Sequence, residues 1–314
     1  TYTVSITGAF PRIYFNAGSF LPDKDAQKIL TVEQWGDVKW SSMAHAFSGC
    51  ENLRINAADA PDLSMVTDMT RMFYDAISLN DDINHWDVSN VTNMAGMFSG
   101  HPTFNQDISG WTVSAVTDMS DMFAGASAFN QDISGWDVSA VRDFNAMFSN
   151  ATSFNQPIGT WTLNPAFNID MRSMFLSATS FDQDLSSWDV RNLAFAANML
   201  NNSGLSVANY DNLLEGWSSQ SPLKTNVQLG AAGLYYCKGI TARGILTSGP
   251  NNWIITDDGS KCISVFNGPD TSAPEILDGQ AQAIDFGSTS TAKTKTFTIL
   301  NNQATAITNV QVTI

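Results

Sequence analysis

Charged residues are scarce in this sequence. They make up 14% of its 314 residues, whereas about a quarter of the residues in an average globular protein are charged. Basic residues are the scarcest, with 15 Lys and Arg against 30 Asp and Glu, and the formal net charge is -15. Binding to phosphate backbones depends on clustered Lys and Arg, so this composition argues against a nucleic-acid-binding protein. Hydrophobic residues make up 43% of the chain, which indicates a folded protein.

Long apolar runs and catalytic motifs are also missing. No apolar run reaches the roughly 18 residues needed to cross a bilayer, so we expect no membrane insertion. The sequence from Thr1 onward is typical of a mature protein, from which a signal peptide has been removed or was never included. The three histidines, His45, His85 and His101, form no His-Glu-x-x-His motif, and no Gly-x-Ser-x-Gly elbow occurs. We therefore predict that the protein is not an enzyme, and that His85 and His101 are surface residues.

Cysteine is rare as well, with three in the chain. Cys237 and Cys262 would close a loop near the C-terminal end, and we predict a disulfide between them in an oxidising compartment. The alternative is a pair of buried thiols. Cys50 occupies a repeat position that Ala126 and Ala151 hold elsewhere, which predicts a small buried hydrophobic side chain.

The chain contains an internal repeat, recognisable by a Met-Phe pair. Successive copies begin at Met72, Met97, Met122, Met147 and Met174, and a degenerate copy begins at Met199. The intervals are equal except for the one from Met147 to Met174, which is slightly longer. A fixed period of about 25 residues is typical of a solenoid, in which each unit packs on the next. The same register then carries tryptophan in successive copies, which we predict to be core: Trp86, Trp111, Trp136, Trp161 and Trp188.

Within one copy the hydrophobic period changes. Val116, Met119 and Met122 recur at helical spacing, which predicts a short helix over residues 118–123. The short segment Phe104-Asn-Gln-Asp-Ile108 is typical of a brief strand. The predicted fold class is therefore an α/β solenoid, leucine-rich-repeat-like, with stacked short strands and short helices, N- and C-terminal caps and a following partial β-sandwich segment.

At these residues the repeat resembles a known family. It reads Met-Phe-x-x-Ala-x-x-Phe-Asn-Gln-Asp-Ile-x-x-Trp-Asp-Val-Ser-x-Val-Thr-x-Met, which is similar to the BspA-like bacterial surface proteins with leucine-rich-type repeats. Gly36-Asp-Val-Lys-Trp-Ser-Ser-Met43 resembles the start of that family's domain, and Asn209-Tyr-Asp-Asn-Leu-Leu-Glu-Gly-Trp217 resembles its end. The resemblance implies an extracellular or cell-surface adhesin or host-interaction protein.

The predicted organisation has four parts. Residues 1–45 form an N-terminal cap, 46–204 the repeat solenoid, 205–265 a C-terminal cap, and 266–314 a linker with a partial immunoglobulin-like β segment. Asp285-Phe-Gly-Ser288 and the segment 296–302 in the last part resemble the opening of Hydin-like immunoglobulin-type modules.

Two polar columns recur with the repeat. We predict that the amide column satisfies backbone groups in the turns; it consists of Asn80, Asn105, Asn130, Asn155 and Asp182. The carboxylate column either caps turn amides or binds calcium, a hard cation that prefers oxygen ligands; it consists of Asp82, Asp107, Asp132 and Asp184. Calcium is the only cofactor we consider.

The predicted function is non-catalytic binding by a rigid repeat face. Its variable positions would contact a protein or glycan on another cell or matrix: Asp87, Thr112, Asp137, Thr162 and Asp189. The longer interval places a two-residue insertion in the segment 164–171, which forms either a bulge near a ligand or a neutral surface insertion. Two alternatives stay open: a carbohydrate-binding module, with or without the assistance of calcium, which exposed tryptophans would favour, and a structural spacer. We expect a monomer within a larger multidomain chain.

Overall fold

The computed structural model describes residues 10–15, 25–261, 263–266, 275–276 and 298–301. Their α-helices are α1, Val207–Ser218, and α2, Ile240–Thr247. Single 3-10 turns occur at Ala26–Lys28 and Ile158–Thr160. The strands are β1 Thr31–Val32, β2 Arg54–Ile55, β3 Ile169–Asp170, β4 Leu193–Phe195, β5 Gln228–Ala231, β6 Ile254–Asp257, β7 Ile263–Phe266, β8 Glu275–Ile276 and β9 Thr298–Asn301.

The strands form small sheets. Three parallel pairs, β1–β2, β3–β4 and β5–β6, have two strands each. A fourth sheet is antiparallel, with β7 between β8 and β9. The partial β-sandwich predicted for residues 266–314 falls largely outside the described residues.

The predicted fold class, an α/β solenoid of the leucine-rich-repeat type, is wrong. Both α-helices of the described residues lie after residue 206, so the repeated segments contain none. The strands of the parallel sheets are very short, and most of the repeat region consists of turns and irregular structure.

Left-handed backbone conformations prevent the helix that was predicted over residues 118–123. Asp121 has φ 55° and Gly125 has φ 74°, values outside the right-handed helical region. The amides of Met119, Asp121 and Phe123 donate to carbonyls of the next copy, at 2.9, 2.7 and 2.9 Å. Met122 donates to the carbonyl of Met119, in a turn. None of these is the i to i−4 bond of an α-helix, so a succession of turns results.

The apolar columns of successive copies make the core. The Phe123 ring lies 4.0 Å from Phe129 of its own copy and 5.7 Å from Phe148 of the next, measured between centroids. Trp136 is 4% exposed, and its indole N–H donates to the Ile108 carbonyl at 3.3 Å. The other tryptophans of the column are equally buried, so the prediction that this column is core is confirmed.

The amide column satisfies backbone amides, as predicted, and each of these amides belongs to the next copy. The side-chain oxygen of Asn105 accepts the amide of Asn130 at 2.9 Å, and that of Asn130 accepts the amide of Asn155 at 2.9 Å. Asn130 also accepts from Gln156 Nε2, through its carbonyl and Oδ1. Asp182 ends the series by accepting the amide of Ser206, the N-cap residue of α1, at 2.8 Å.

Replacing Asn130 by alanine should therefore lower the free energy of unfolding by about 1 kcal/mol, the usual net value of a hydrogen bond. Asn130→Asp is the matched control, because Asp182 shows that a carboxylate oxygen can accept the same amide. Urea denaturation of both variants tests this. Equal losses in the two variants would show that the accepting oxygen is not what stabilises this position.

The C-terminal elements match the sequence-based expectations closely. A helix was predicted from Val207 to Trp217, a second around residues 242–246 and a strand over 253–256; these correspond to α1, α2 and β6. Ser206 caps α1 by accepting the amide of Asn209 at 3.3 Å. Asp257, at the end of β6, accepts from Tyr210 Oη at 2.9 Å and from Arg243 Nε at 2.8 Å, which joins α1, α2 and the last strand.

Candidate functional site

A row of half-buried polar side chains, which ends at an exposed phenylalanine, follows the backbone contacts between copies. Parallel bridges join each member to the next, in the order Asp68, Asn93, Asp118, Asp143, Asp170 and Phe195. Two further strands extend the row beyond Phe195. Gln228 on β5 pairs with Ile254 on β6. We call the surface formed by these eight residues and Arg172 the ladder surface.

Each polar member of the row is held by a turn. The Oδ1 of Asp118 accepts the amide of Ser120 at 2.9 Å and its hydroxyl at 2.7 Å. The same bond to the amide two residues later occurs at Asp143, at 2.8 Å. Burial raises the pKa of Asp143, and the neighbouring carboxylates of Asp118 and Asp170 raise it further. These side chains are therefore fixed in position, and the Asp143 carboxylate is repelled by those of Asp118 and Asp170.

The C-terminal end of the ladder surface is aromatic and apolar. Phe195 is 53% exposed and Ile254 is 54% exposed. The Arg172 guanidinium lies 5.2 Å from the centroid of the Phe195 ring and forms a salt bridge with Asp170 at 2.6 Å. Gln228 pairs with Ile254, and because Ala196 bridges to Leu229, Gln228 lies between Phe195 and Ile254. Charged side chains and exposed apolar side chains therefore lie next to each other at this end of the ladder surface.

The five predicted binding positions lie on the surface but outside the ladder surface. Asp87, Thr112, Asp137 and Thr162 are exposed, and Asp189 is half-buried. Each aspartate accepts the amide two residues later: Asp87 from Ser89 at 3.1 Å, Asp137 from Ser139 at 3.0 Å and Asp189 from Arg191 at 3.2 Å.

Turn bonding also affects the ionisation of these three carboxyls. Hydrogen bonds from the side chains of Ser89 and Ser139, and then from their amides, lower the pKa values of Asp87 and Asp137. A side-chain hydrogen bond from Arg191 is the main cause of the lowered pKa of Asp189. These carboxylates therefore stay charged at neutral pH.

The predicted metal column caps turns in the same way. Its Oδ1 atoms accept amides two residues later at 2.9, 2.8, 2.9 and 2.8 Å, in Asp82, Asp107, Asp132 and Asp184 respectively. Within the described ranges, no group of three or more His, Cys, Asp or Glu side chains could hold a metal ion. Amide capping is thus observed, and calcium binding stays a prediction without a ligand cluster.

A cleft opens beside the two-residue insertion. Its volume is about 410 Å³, and we call it the insertion cleft. It is lined by Asn164, Pro165, Ala166, Arg191, Asn192, Pro222, Leu223 and Lys224. The sequence indicated one wall of this cleft, because the insertion changes the repeat period. Residues 222–224 belong to no repeat, so no sequence pattern indicated that they line the cleft.

Comparison with known proteins gives one family. The sequence matches the family described as Mycoplasma protein of unknown function, DUF285, over residues 41–161 and again over residues 108–217. Together these matches cover more than half of the chain. The chain belongs to the DUF285 family. No curated protein and no solved structure matches it significantly.

The DUF285 matches include the ladder surface from Asp68 to Phe195, one wall of the insertion cleft and helix α1 as far as Trp217. They end before β5, β6 and α2. Nowhere in the described part of this DUF285 chain is a helix long and apolar enough to cross a membrane.

One histidine is not where the sequence analysis placed it. His101 was predicted on the surface, but it is 0% exposed and its ring packs edge-on against Phe104, with centroids 5.5 Å apart. Neither ring nitrogen makes a well-formed hydrogen bond to the described residues. The register could have shown this, because Ala126 and Ala151 occupy the same buried repeat position.

The cysteines agree with expectation as far as they are described. Cys50 is a buried free thiol, and burial raises its pKa to about 12. Cys237 is disulfide-bonded. Its predicted partner, Cys262, lies outside the described residues, so the pairing stays a prediction.

Proposed function

We propose that this DUF285 chain is a non-catalytic binding module, secreted or displayed on a cell surface, which binds a protein or glycan partner through the ladder surface. The observation that carries the proposal is the exposed Phe195 ring beside Arg172. Aromatic side chains, including phenylalanine, and arginine are enriched at protein–protein interfaces relative to the rest of the surface.

The backbone supports the proposal by holding the ladder surface rigid. Each row position is connected to the next by parallel bridging, and the side chains of Asp118 and Asp143 are engaged in turns. A surface that is ordered before binding loses less conformational entropy when a partner binds. Such a surface suits an extended partner that contacts several copies at once.

Chemical variation along the row also favours binding. Its middle carries the coupled carboxylates Asp118, Asp143 and Asp170, and its end carries Phe195 and Ile254. A partner with basic and apolar groups in matching order would find complementary sites along one line. The adhesin or host-interaction role follows from the resemblance of the repeat to BspA-like surface proteins.

The carbohydrate-binding alternative loses the observation that was to favour it. All nine tryptophans of the chain are buried, so none presents a ring face for stacking on a sugar. A structural spacer remains the alternative, and it differs from the proposal in having no specific partner.

Phe195→Ala should weaken partner binding about 30-fold, which corresponds to the ~2 kcal/mol typical of a central aromatic contact. The measurement is binding to an array of extracellular-matrix proteins and glycans, followed by titration of any positive probe. Met65→Ala is the matched control, because Met65 is 62% exposed and lies outside the ladder surface.

Two outcomes would oppose the proposal. If a Thr112→Arg, Asp137→Arg double variant lost binding while Phe195→Ala kept it, the originally predicted row would be the binding face. If no probe bound to the wild-type chain, the spacer alternative would be favoured.

A further inference from the structure

The inserted segment, residues 164–171, forms one wall of the insertion cleft and is held in place by several contacts. We call this segment the insertion loop. Asn164 Oδ1 accepts the amide of Ala166 at 2.9 Å, which closes a turn at the start of the loop. The Arg142 guanidinium lies 3.9 Å from the centroid of the Phe167 ring. Asn192 Nδ2 donates to the carbonyl of Pro165. These contacts tie the inserted segment to the neighbouring copies, so the wall has a defined position.

Residues 222–224 form a second wall of the cleft, and they too are held by contacts with the rest of the chain. The indole N–H of Trp253 donates to the Lys224 carbonyl at 2.7 Å, and Leu223 is 8% exposed. Gln220, at the entry to this segment, accepts the Val190 amide at 2.9 Å and donates to a carbonyl of the repeat region at 2.8 Å. The cleft is therefore formed before any ligand arrives.

The charges around the insertion cleft differ from those of the whole chain. Acidic residues outnumber basic ones by 30 to 15 in the sequence, yet the lining includes two cations, Arg191 and Lys224, and no carboxylate. Lys224 makes no ion pair with any described residue. Arg191 pairs with Asp189 through Nε and Nη2. Its Nη1 group donates no hydrogen bond to any described residue and can donate to a ligand.

Amide donors and apolar side chains complete the lining. The turn at Asn164 uses its Oδ1 atom, and its Nδ2 group makes no hydrogen bond within the described ranges. Pro165 and Pro222 come from the two walls and present rigid apolar rings. The arrangement combines donors and positive charge with apolar surface.

We propose that the insertion cleft binds the carboxylate of a small acidic ligand, with Lys224 and Arg191 as its charged partners. A carboxylate accepts hydrogen bonds and donates none, which matches the donors that this lining offers on Lys224, on Arg191 Nη1 and on Asn164 Nδ2. Charge-assisted bonds of this kind are about twice as strong as neutral ones. The volume of about 410 Å³ lies within the range of small-molecule sites. This site shares no residue with the ladder surface and does not depend on the proposed function.

A carboxylate can come from a sugar acid or from an acidic peptide, and two probes distinguish these sources. Calorimetric titration of the full chain with methyl glucuronide and with an acetylated Glu-Ala dipeptide should give a Kd on the order of 1 mM for at least one probe. Methyl glucoside and an acetylated Gln-Ala dipeptide are the neutral counterparts, and each should bind at least about tenfold more weakly. Work at about 0.05 M salt limits screening.

Substitution of Lys224 tests the location of the site. Lys224→Gln should weaken binding about tenfold, and Lys224→Arg should restore most of it, because arginine also binds carboxylates. Lys238→Gln, at an exposed lysine outside the cleft, should bind as the wild type does. Thermal melts of all variants confirm that each is folded.

The results decide the proposal. Binding of the glucuronide alone identifies a sugar-acid site, binding of the dipeptide alone identifies an acidic-peptide site, and binding of both shows that the carboxylate suffices. The proposal is overturned if neither probe saturates by about 50 mM, if the neutral counterparts bind equally well, or if Lys224→Gln leaves Kd unchanged.

Discussion

Replacing Asp211 by alanine is expected to lower the free energy of unfolding by about 4 kcal/mol. Asp211 lies on α1 and is 4% exposed, and its carboxylate accepts three main-chain amides. They belong to Cys237, Lys238 and Gly239, at 2.8, 2.9 and 2.9 Å. Hydrogen bonds to a charged group contribute about 1.5–3 kcal/mol each, and a buried donor left without a partner costs about 1–3 kcal/mol.

The position of Asp211 relative to α2 adds to this effect. Gly239 is the N-cap residue of α2 and provides no side-chain cap of its own. Asp211 supplies the missing acceptor from another helix, and its negative charge interacts favourably with the positive end of the α2 dipole. Alanine at this position would loosen the attachment of α2 to α1, so the C-terminal elements should lose order first.

Urea denaturation monitored by tryptophan fluorescence measures the loss. Asp211→Asn should fall between the wild type and Asp211→Ala, because one oxygen acceptor remains while the charge is removed. Glu215→Ala is the control, since Glu215 is an exposed acidic residue on the same helix and should change stability by less than about 0.5 kcal/mol. Equal effects of Asp211→Ala and Glu215→Ala would contradict the assigned capping role.

His101 is expected to make the protein less stable in mild acid, by up to about 3 kcal/mol between pH 6.5 and pH 4. Burial lowers the pKa of His101 from 6.5 to about 4 in the folded chain. The unfolded chain therefore takes up a proton on this imidazole below pH 6.5, while the folded chain does not until about pH 4. Each pH unit in this window corresponds to about 1.4 kcal/mol.

The direction of the effect follows from linkage. Because the folded state binds fewer protons than the unfolded state in this window, stability is full above pH 6.5 and falls as the pH is lowered. Partial burial also lowers the pKa of His45, so this residue contributes in the same direction. The turn-capping aspartates, such as Asp107, have pKa values below their ordinary value of 3.8 in the folded chain, and their contribution is lost only at lower pH.

The variant His101→Ala isolates the buried imidazole. Alanine is the native residue at the same repeat position in other copies, at Ala76, Ala126, Ala151 and Ala178, so the variant should fold. The difference in unfolding free energy between about pH 7 and about pH 4.5 should shrink by about 2–3 kcal/mol relative to the wild type. His85→Ala, at an exposed histidine, should keep the wild-type difference. An unchanged pH dependence in His101→Ala would show that this imidazole is accessible to protons.

The C-terminal helices were predictable because local sequence and tertiary environment agree. Tyr210, Leu213, Leu214 and Trp217 fall on one face of α1, and all are buried. The repeat helix predicted from Val116, Met119 and Met122 failed although its apolar spacing was also helical. Bonds to the next copy and the left-handed residue Asp121 replace the bonds within a helix there, and hydrophobic spacing does not report on either.

The candidate site was predictable only in part. The role of the amide column was identified correctly, since an Asn that recurs at one register indicates backbone amides that need an acceptor. The row through Asp118 and Asp143 was missed, because Asp118 lay inside the predicted helix and Asp143 at the same position of the next copy. Residues 222–224 gave no repeat pattern that could connect them to the insertion loop at residues 164–171.

The amino-acid sequence by itself determined the repeat, its columns of Phe, Trp and Asn, and the amphipathic C-terminal helices, because these depend on residue type recurring at a fixed spacing. Only the tertiary structure decided the backbone conformation of the repeats, the exposure of Phe195 and the burial of His101. It also brought the insertion loop next to Lys224. These features depend on contacts between residues distant in the chain, and the free energy of those contacts exceeds the weak local preferences that a sequence pattern expresses.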